Sequence, residues 1–352
     1  MKKIIIAVLA VAAMVACSTE QTVVAPKGDA IGFSTFVDNA TRATDITKDN
    51  LVDFGVYASI ENASGAGMIL TNERAYKNAQ GAWIYGNTQY WVPTAMYEFT
   101  AFAPHTGAHW TYTPDTPDDG KKTADNGDVT FNNDADADQD FIFAYAYRDL
   151  TSTAKLESQP DAVEFTFKHM LSKVAFSFIN TFTDGNTTLS VYNVKINNTA
   201  KTGTMAIANG VDAAWEVDDA DVVDKHLVVP FGDQATAVNT LKAKALANGA
   251  ELKLDHHYVI PAQRAYNITF SVDLYQAGVY LATYNHTINK TIDFAKNGNY
   301  VLSVKLAPES IDPENKLYPI EFNVYNVNGW DNGNTVDADD PADNVNDYYP
   351  LN

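Results

Sequence analysis

The stretch Tyr97-Glu98-Phe99-Thr100-Ala101-Phe102-Ala103-Pro104 decides the fold class. Tyr97, Phe99, Ala101 and Ala103 fall at every second position, which is the period of a strand. Pro104 lacks an N–H for a ladder and stops the run. Upstream, residues 31–37, 54–60 and 90–93 read as strands. Downstream, residues 141–145, 163–167, 174–179, 189–196, 258–260, 266–275, 300–306 and 320–327 carry period-2 or β-branched character. Clusters of Gly, Asn, Asp, Thr and Pro separate them, which is turn chemistry. One exception stands out. Residues 235–248 (ATAVNTLKAKALAN) predict a short helix, with Gly249 as its C-terminal stop. Many short strands with sparse helical signal predict an all-β chain of the sandwich kind.

Composition narrows the function. The 352 residues carry 24 Lys and Arg against 44 Asp and Glu, a formal charge of −20. A phosphate backbone would be repelled, so no nucleic-acid partner is expected. With 46% hydrophobic residues, the chain can bury a core. The length suits two domains, with one large β domain as the alternative. The best cut lies near residue 168, between the run Glu164-Phe165-Thr166-Phe167 and the run that opens at Lys173.

The N-terminus addresses the compartment. Lys2 and Lys3 precede thirteen apolar residues, 4–16, and then Cys17, the single cysteine. Thirteen is too short for a membrane-spanning helix, which takes about 20 residues, and suits a signal peptide. Met14-Val15-Ala16-Cys17 resembles a bacterial lipobox, in which the cysteine is lipidated. Met14 stands where Leu is usual. The alternative is an ordinary secretory signal. One cysteine also excludes an internal disulfide and a CxxC metal site.

The order of landmarks then resembles the Bacteroidales fimbrillin family, including its Mfa-like branch of type V pilus subunit lipoproteins. The lipobox is followed by a short strand and by Thr41-Arg42-Ala43-Thr44. Next come VDFGVY (52–57), Tyr90-Trp91, YEFTAFAP (97–104), DFIFA (140–144), FKHMLSKV (167–174), YVIP (258–261) and the late Trp330. The resemblance implies two tandem transthyretin-like Greek-key β-sandwich domains. It divides the chain into a signal peptide (1–17), a tether with a removable strand (18–42), a first sandwich (43–168) and a second with an acidic tail (169–352). It also implies a lipoprotein precursor at the outer membrane that becomes part of an extracellular fimbrium used for adhesion. A trypsin-like surface protease would cut between Arg42 and Ala43. The strand bearing Ile31, Phe33, Thr35 and Val37 would then leave, and a neighbouring subunit, self or paralogous, would fill the vacated groove.

These implications have bland alternatives. Arg42 could be an ordinary loop arginine beside a permanent strand, and Lys27 and Lys48 offer other bonds. Ile320, Phe322 and Val324 alternate in a strand that could be donated to a neighbour or could close the second domain. The position in the fibre, shaft or tip, stays open.

Other chemistry is weak. Asp134, Asp136, Asp138 and Asp140 alternate like the start of a calcium loop, but Gln139 and Tyr145 stand where Gly and an acid are required. His105 and His109 are four apart, yet Pro104 and Gly107 spoil a helical face. His169 reads as packed or hydrogen-bonded. No hydrolase elbow, phosphate loop or dinucleotide fingerprint is present, so no enzyme, metal or cofactor is expected. Trp83, Tyr85, Tyr90, Trp91, Trp110 and Tyr112 are either core packing or a platform for a host glycan. A glycan-binding surface lipoprotein is the competing function.

Overall fold

The computed structural model describes residues 30–37, 45–115, 123–133, 139–151, 161–217, 226–231, 239–242, 251–311 and 320–326. Among the described residues there are strands and no helix. The N-terminal strands are β1 (Phe33–Val37), β2 (Asp53–Asn62), β3 (Gly65–Lys77), β4 (Trp83–Tyr85) and β5 (Met96–Ala103). Then come β6 (Trp110–Pro114), β7 (Gly127–Asn132), β8 (Ile142–Asp149) and β9 (Val163–His169). The next group is β10 (Ser172–Asn180), β11 (Thr187–Ala200), β12 (Thr202–Ala208), β13 (Val211–Asp212) and β14 (Glu216–Val217). The last are β15 (His226–Pro230), β16 (Asn239–Lys242), β17 (Glu251–Lys253), β18 (His257–Val259), β19 (Ala262–Gln276), β20 (Val279–Phe294), β21 (Asn299–Leu306) and β22 (Glu321–Asn326). The all-β reading holds.

A seven-stranded sheet in the order β1-β9-β8-β5-β2-β3-β4 forms the N-terminal half. Its central strands are buried on both faces. On one face of β2 and β5, Val56, Ala58, Phe99 and Ala101 join a core with Phe33, Phe165 and Phe167. On the other face, Tyr57 and Phe102 join a core with Trp110, Tyr112, Phe131 and Met205. That second core is roofed by the sheet β13-β12-β7-β6, with β14 beside β12. Double burial explains the nearly unbroken apolar run in β2.

The C-terminal half is a two-sheet sandwich. The sheet β17-β10-β21-β22 faces the sheet β15-β11-β19-β20 across a core that includes Phe176, Phe178, Ile268, Phe270, Leu302 and Phe322. β19 and β20 turn at Ala277 and Gly278, whose φ angles of +48° and +81° suit a tight twisted hairpin.

Three expectations change in detail. Of the residues read as helix, 239–242 form β16, antiparallel to β11. Asn239 and Thr240 are poor helix formers, and pairing with an available strand overrides local propensity. Residues 90–93 are not a strand. Tyr90 makes one isolated bridge to Ala30, and Val92 N–H donates to the Tyr97 hydroxyl at 2.6 Å. Residues 202–217, placed after the cut near 168, return to the N-terminal half: β12 pairs with β7 over Thr202–Ile207. The expected boundary at 168/169 lies at the last residue of β9, ahead of β10.

His286 is buried in the C-terminal core, stacked on Phe270 at 5.0 Å, with no hydrogen-bond partner for its Nε2. Burial pushes its imidazole down to about 4 from the usual 6.5. Below pH 6.5 the unfolded chain takes up a proton that the folded chain refuses until about pH 4. Stability from this group is therefore present above pH 6.5 and is lost on acidification through that window, by about 3 kcal/mol in full. Urea titrations at pH 7 and pH 4.5 are expected to differ more for the wild type than for His286→Phe.

Candidate functional site: the first strand and its groove

β1 lies at one end of the seven-stranded sheet and pairs only with β9, in parallel, from Phe33 opposite Val163 to Val37 opposite Phe167. The period-2 pattern places Ile31, Phe33, Thr35 and Val37 on the inner side. Ile31, Phe33 and Val37 are buried, and Phe36 on the other face is 43% exposed. The remaining edge of β1 is not left open. The sheet curls until β4, at its opposite end, meets β1. Trp83 Nε1–H donates to Thr35 Oγ1 at 3.2 Å, and the Tyr85 hydroxyl donates to the Ile31 carbonyl at 2.9 Å. Ile31 N–H donates to the Gln89 carbonyl at 2.9 Å.

Phe33 is the plug. Its ring lies 5.0 Å from Tyr85, 5.6 Å from Phe165, 6.1 Å from Phe54 and 6.3 Å from Phe99. β1 is thus a short strand seated in an aromatic groove between β9 and β4. Without it, β9 would present an unpaired edge and the four rings would face solvent.

The chain on the far side of residues 38–44 is fixed. Asp45 is fully buried. Its carboxylate accepts from Lys173 Nζ at 2.5 Å and from the Tyr258 hydroxyl at 2.7 Å, and lies 3.3 Å from His256 Nε2. Burial alone would raise its pKa, but hydrogen bonds from His256, Lys173 and Tyr258 hold it well below the usual carboxylate range. Ile46 N–H donates to Asp140 Oδ2 at 2.8 Å, and Asp140 in turn bonds His169 Nδ1. A turn closed by Leu51 N–H on the Thr47 carbonyl follows. The stretch after β1 is therefore tied to β10 and β18, independently of β1.

Cys17, Arg42, Ala43, Lys27, Asp134, Asp136 and Asp138 lie outside the described residues. The other three arginines sit inside strands: Arg74 in β3, Arg148 in β8 and Arg264 in β19. Ile320 and Phe322 are buried, Val324 packs against the same core, and β22 pairs antiparallel with β21, so this segment closes the second sandwich in its own chain. His169 is buried and hydrogen-bonded, as its reading required.

Trp91, Trp110 and Tyr112 are core residues, and Trp83 and Tyr85 pack against the core beside β1. These five aromatics therefore do not form a solvent-facing platform. The sequence reading missed the contacts of Trp83 and Tyr85 with β1. Their closeness in sequence suggested one local cluster, whereas Trp83, Tyr85 and Trp91 pack in one core and Trp110 and Tyr112 in the core on the opposite face of the sheet.

The family model described as fimbrillin-like matches residues 41–325, so β1 precedes the matched region. Among solved structures, a fimbrial protein from Bacteroides vulgatus superposes with a TM-score of 0.57 at 16% identity, covering 86% of this chain and 99% of that one. A putative cell adhesion protein from Bacteroides ovatus aligns at 13% identity and a TM-score of 0.43, over 85% and 98% of the two chains. The fimbrial anchor protein Mfa2 from Porphyromonas gingivalis aligns at 11% identity and 0.36, over 86% and 98%. A comparison with curated proteins gives no significant match.

Proposed function

The chain belongs to the fimbrillin-like family, and from that premise we propose that it is a structural subunit of a surface fimbria, activated by removal of β1 and assembled by strand exchange. At the coarser level it is a fimbrial or cell-adhesion protein of the cell surface, and its family and fold are those of non-enzymatic structural proteins. The finer steps are the proposal. The precursor is exported and lipidated at Cys17, which holds it at the outer membrane. A trypsin-like protease cuts between Arg42 and Ala43. β1 leaves, and a strand of a neighbouring subunit enters the groove beside β9.

The observation that carries this reading is the seating of β1. It is an edge strand with a single ladder partner, it fills an aromatic groove, and residue 42 lies only a few positions beyond its end. Removing an internal strand would break two ladders and split the sheet. Removing β1 breaks one ladder and leaves a vacancy shaped for a replacement. The placement of arginines supports the choice of bond. Arg74, Arg148 and Arg264 are held in hydrogen-bonded strands, and Arg74 is further tied to Asp53 at 2.8 Å. Proteases need an extended, unpaired substrate segment. Lys48 follows the buried Asp45 and lies in the closed turn, so it is the second choice.

The test is Arg42→Ala in the producing cell. Wild-type protein is expected to give SDS-resistant ladders, because an exchanged strand is buried along its length. Arg42→Ala is expected to stay monomeric and retain its N-terminal segment. Ladders of undiminished length from Arg42→Ala protein that still carries β1 would overturn the proposal.

A further inference from the structure

Resting on the reading of β1 as a replaceable strand, we infer that the groove selects an incoming strand with a hydroxyl at its third inward position. It thereby favours a strand from a different subunit over β22 of a second copy. The four inward positions of β1 are not equivalent. At Ile31 the groove holds the backbone, through the Gln89 carbonyl and the Tyr85 hydroxyl, and buries the side chain, which calls for an aliphatic residue. At Phe33 it demands an aromatic ring among four others. At Val37 it demands an apolar side chain, because that position is 3% exposed. Thr35 alone receives a side-chain hydrogen bond from the groove, from Trp83 Nε1–H.

An indole N–H is a donor only. Trp83 is not free to turn to another acceptor. Its ring packs edge-on against Phe54 at 4.7 Å, and Lys77 Nζ sits over the ring, 5.1 Å from its centroid. An incoming strand with an aliphatic residue here fills the same volume and strands a half-buried donor, which carries the desolvation cost of an unmade bond.

This chain's own C-terminal strand makes the contrast. Ile320, Phe322, Val324 and Asn326 repeat the spacing of Ile31, Phe33, Thr35 and Val37. The first two positions match in kind. Val324 has the shape of threonine without its oxygen, and Asn326 would put a carboxamide at a buried apolar position. β22 is also engaged already, with Ile320 and Phe322 in the C-terminal core. The partner that fits is an extended strand reading aliphatic, any, aromatic, any, Thr or Ser, any, aliphatic, running parallel to β9.

The test is displacement from the trypsin-cleaved full chain with β1 still seated, so that no empty groove has to survive alone. Four labelled peptides compete: residues 31–37, the same peptide with Thr35→Val, the same with Thr35→Ser, and residues 320–326. The Thr35→Val peptide is expected to bind about five- to tenfold more weakly than the native peptide. Thr35→Ser should stay within about twofold, and 320–326 should be the weakest. In a Trp83→Phe protein the Thr-to-Val difference should vanish. In the uncleaved chain, Thr35→Val should lower the unfolding midpoint in the Trp83 background and leave it unchanged in Trp83→Phe, which checks the pairing without any peptide. Equal binding of the Thr35→Val peptide, or tighter binding of 320–326, would overturn the selectivity while leaving strand removal intact. Failure of the native peptide to enter at all would overturn strand removal, and this inference with it.

Discussion

Phe33→Ala is expected to destabilise the uncleaved protein by about 3–5 kcal/mol, the usual cost of emptying a buried aromatic site. The magnitude rests on the environment of this ring. Phe33 touches side chains from β2, β4, β5 and β9, and each of those residues also packs in the same core. The vacancy cannot collapse easily, because Phe54, Phe165 and Phe167 already brace one another at 5.5–5.9 Å. Phe36→Ala, one strand face away, is expected to cost less than about 0.5 kcal/mol. Urea unfolding of the two variants side by side checks this. The contrast also separates a plug from a decoration, since both substitutions remove one phenyl ring from the same five-residue strand. Comparable losses for the two would mean that β1 does not seat as described.

Asp45→Ala is expected to cost about 3–5 kcal/mol, because it removes the carboxylate that balances a buried ammonium. Lys173 is 3% exposed and donates to Asp45 at 2.5 Å. The double variant Asp45→Ala/Lys173→Met is expected to recover much of that loss, since an uncharged, similarly shaped pair avoids the desolvation of both ions. The pH dependence follows in sign. The Asp45 pKa is lowered in the folded state, so its contribution is present above the unfolded value near 4 and fades as the pH falls below it. Asp45→Ala should therefore lose less stability than wild type between pH 5 and pH 3. The pair bears on function as well. Asp45 would belong to the chain left by the proposed cleavage after Arg42, and its ties run to β10 and β18 rather than to β1. Loss of β1 would leave this anchor whole.

Much of the fold was legible in the sequence because burial imposed a clean period. β2, β5, β9, β10 and β21 each have a face or a whole run committed to a core, and their readings came within two or three residues of the observed ends. β20 was missed for the complementary reason. Val279–Phe294 is a sheet-edge strand rich in Thr and Asn, with exposed and half-buried positions for most of its length, so little apolar alternation survives. The helix expected near residue 240 failed because local propensity carries no knowledge of the free edge on β11. The inward face of β1 was legible as Ile31, Phe33, Thr35 and Val37. The other wall of its groove was not. Trp83 and Tyr85 lie some fifty residues away, and only the curl of the sheet brings β4 to β1.

The most direct test of the central claim is the N-terminal residue of the protein recovered from assembled fibres at the cell surface. Removal of β1 after Arg42 predicts Ala43. A chain in those fibres that still begins at Cys17, with residues 31–37 attached, would contradict strand removal as the route to assembly.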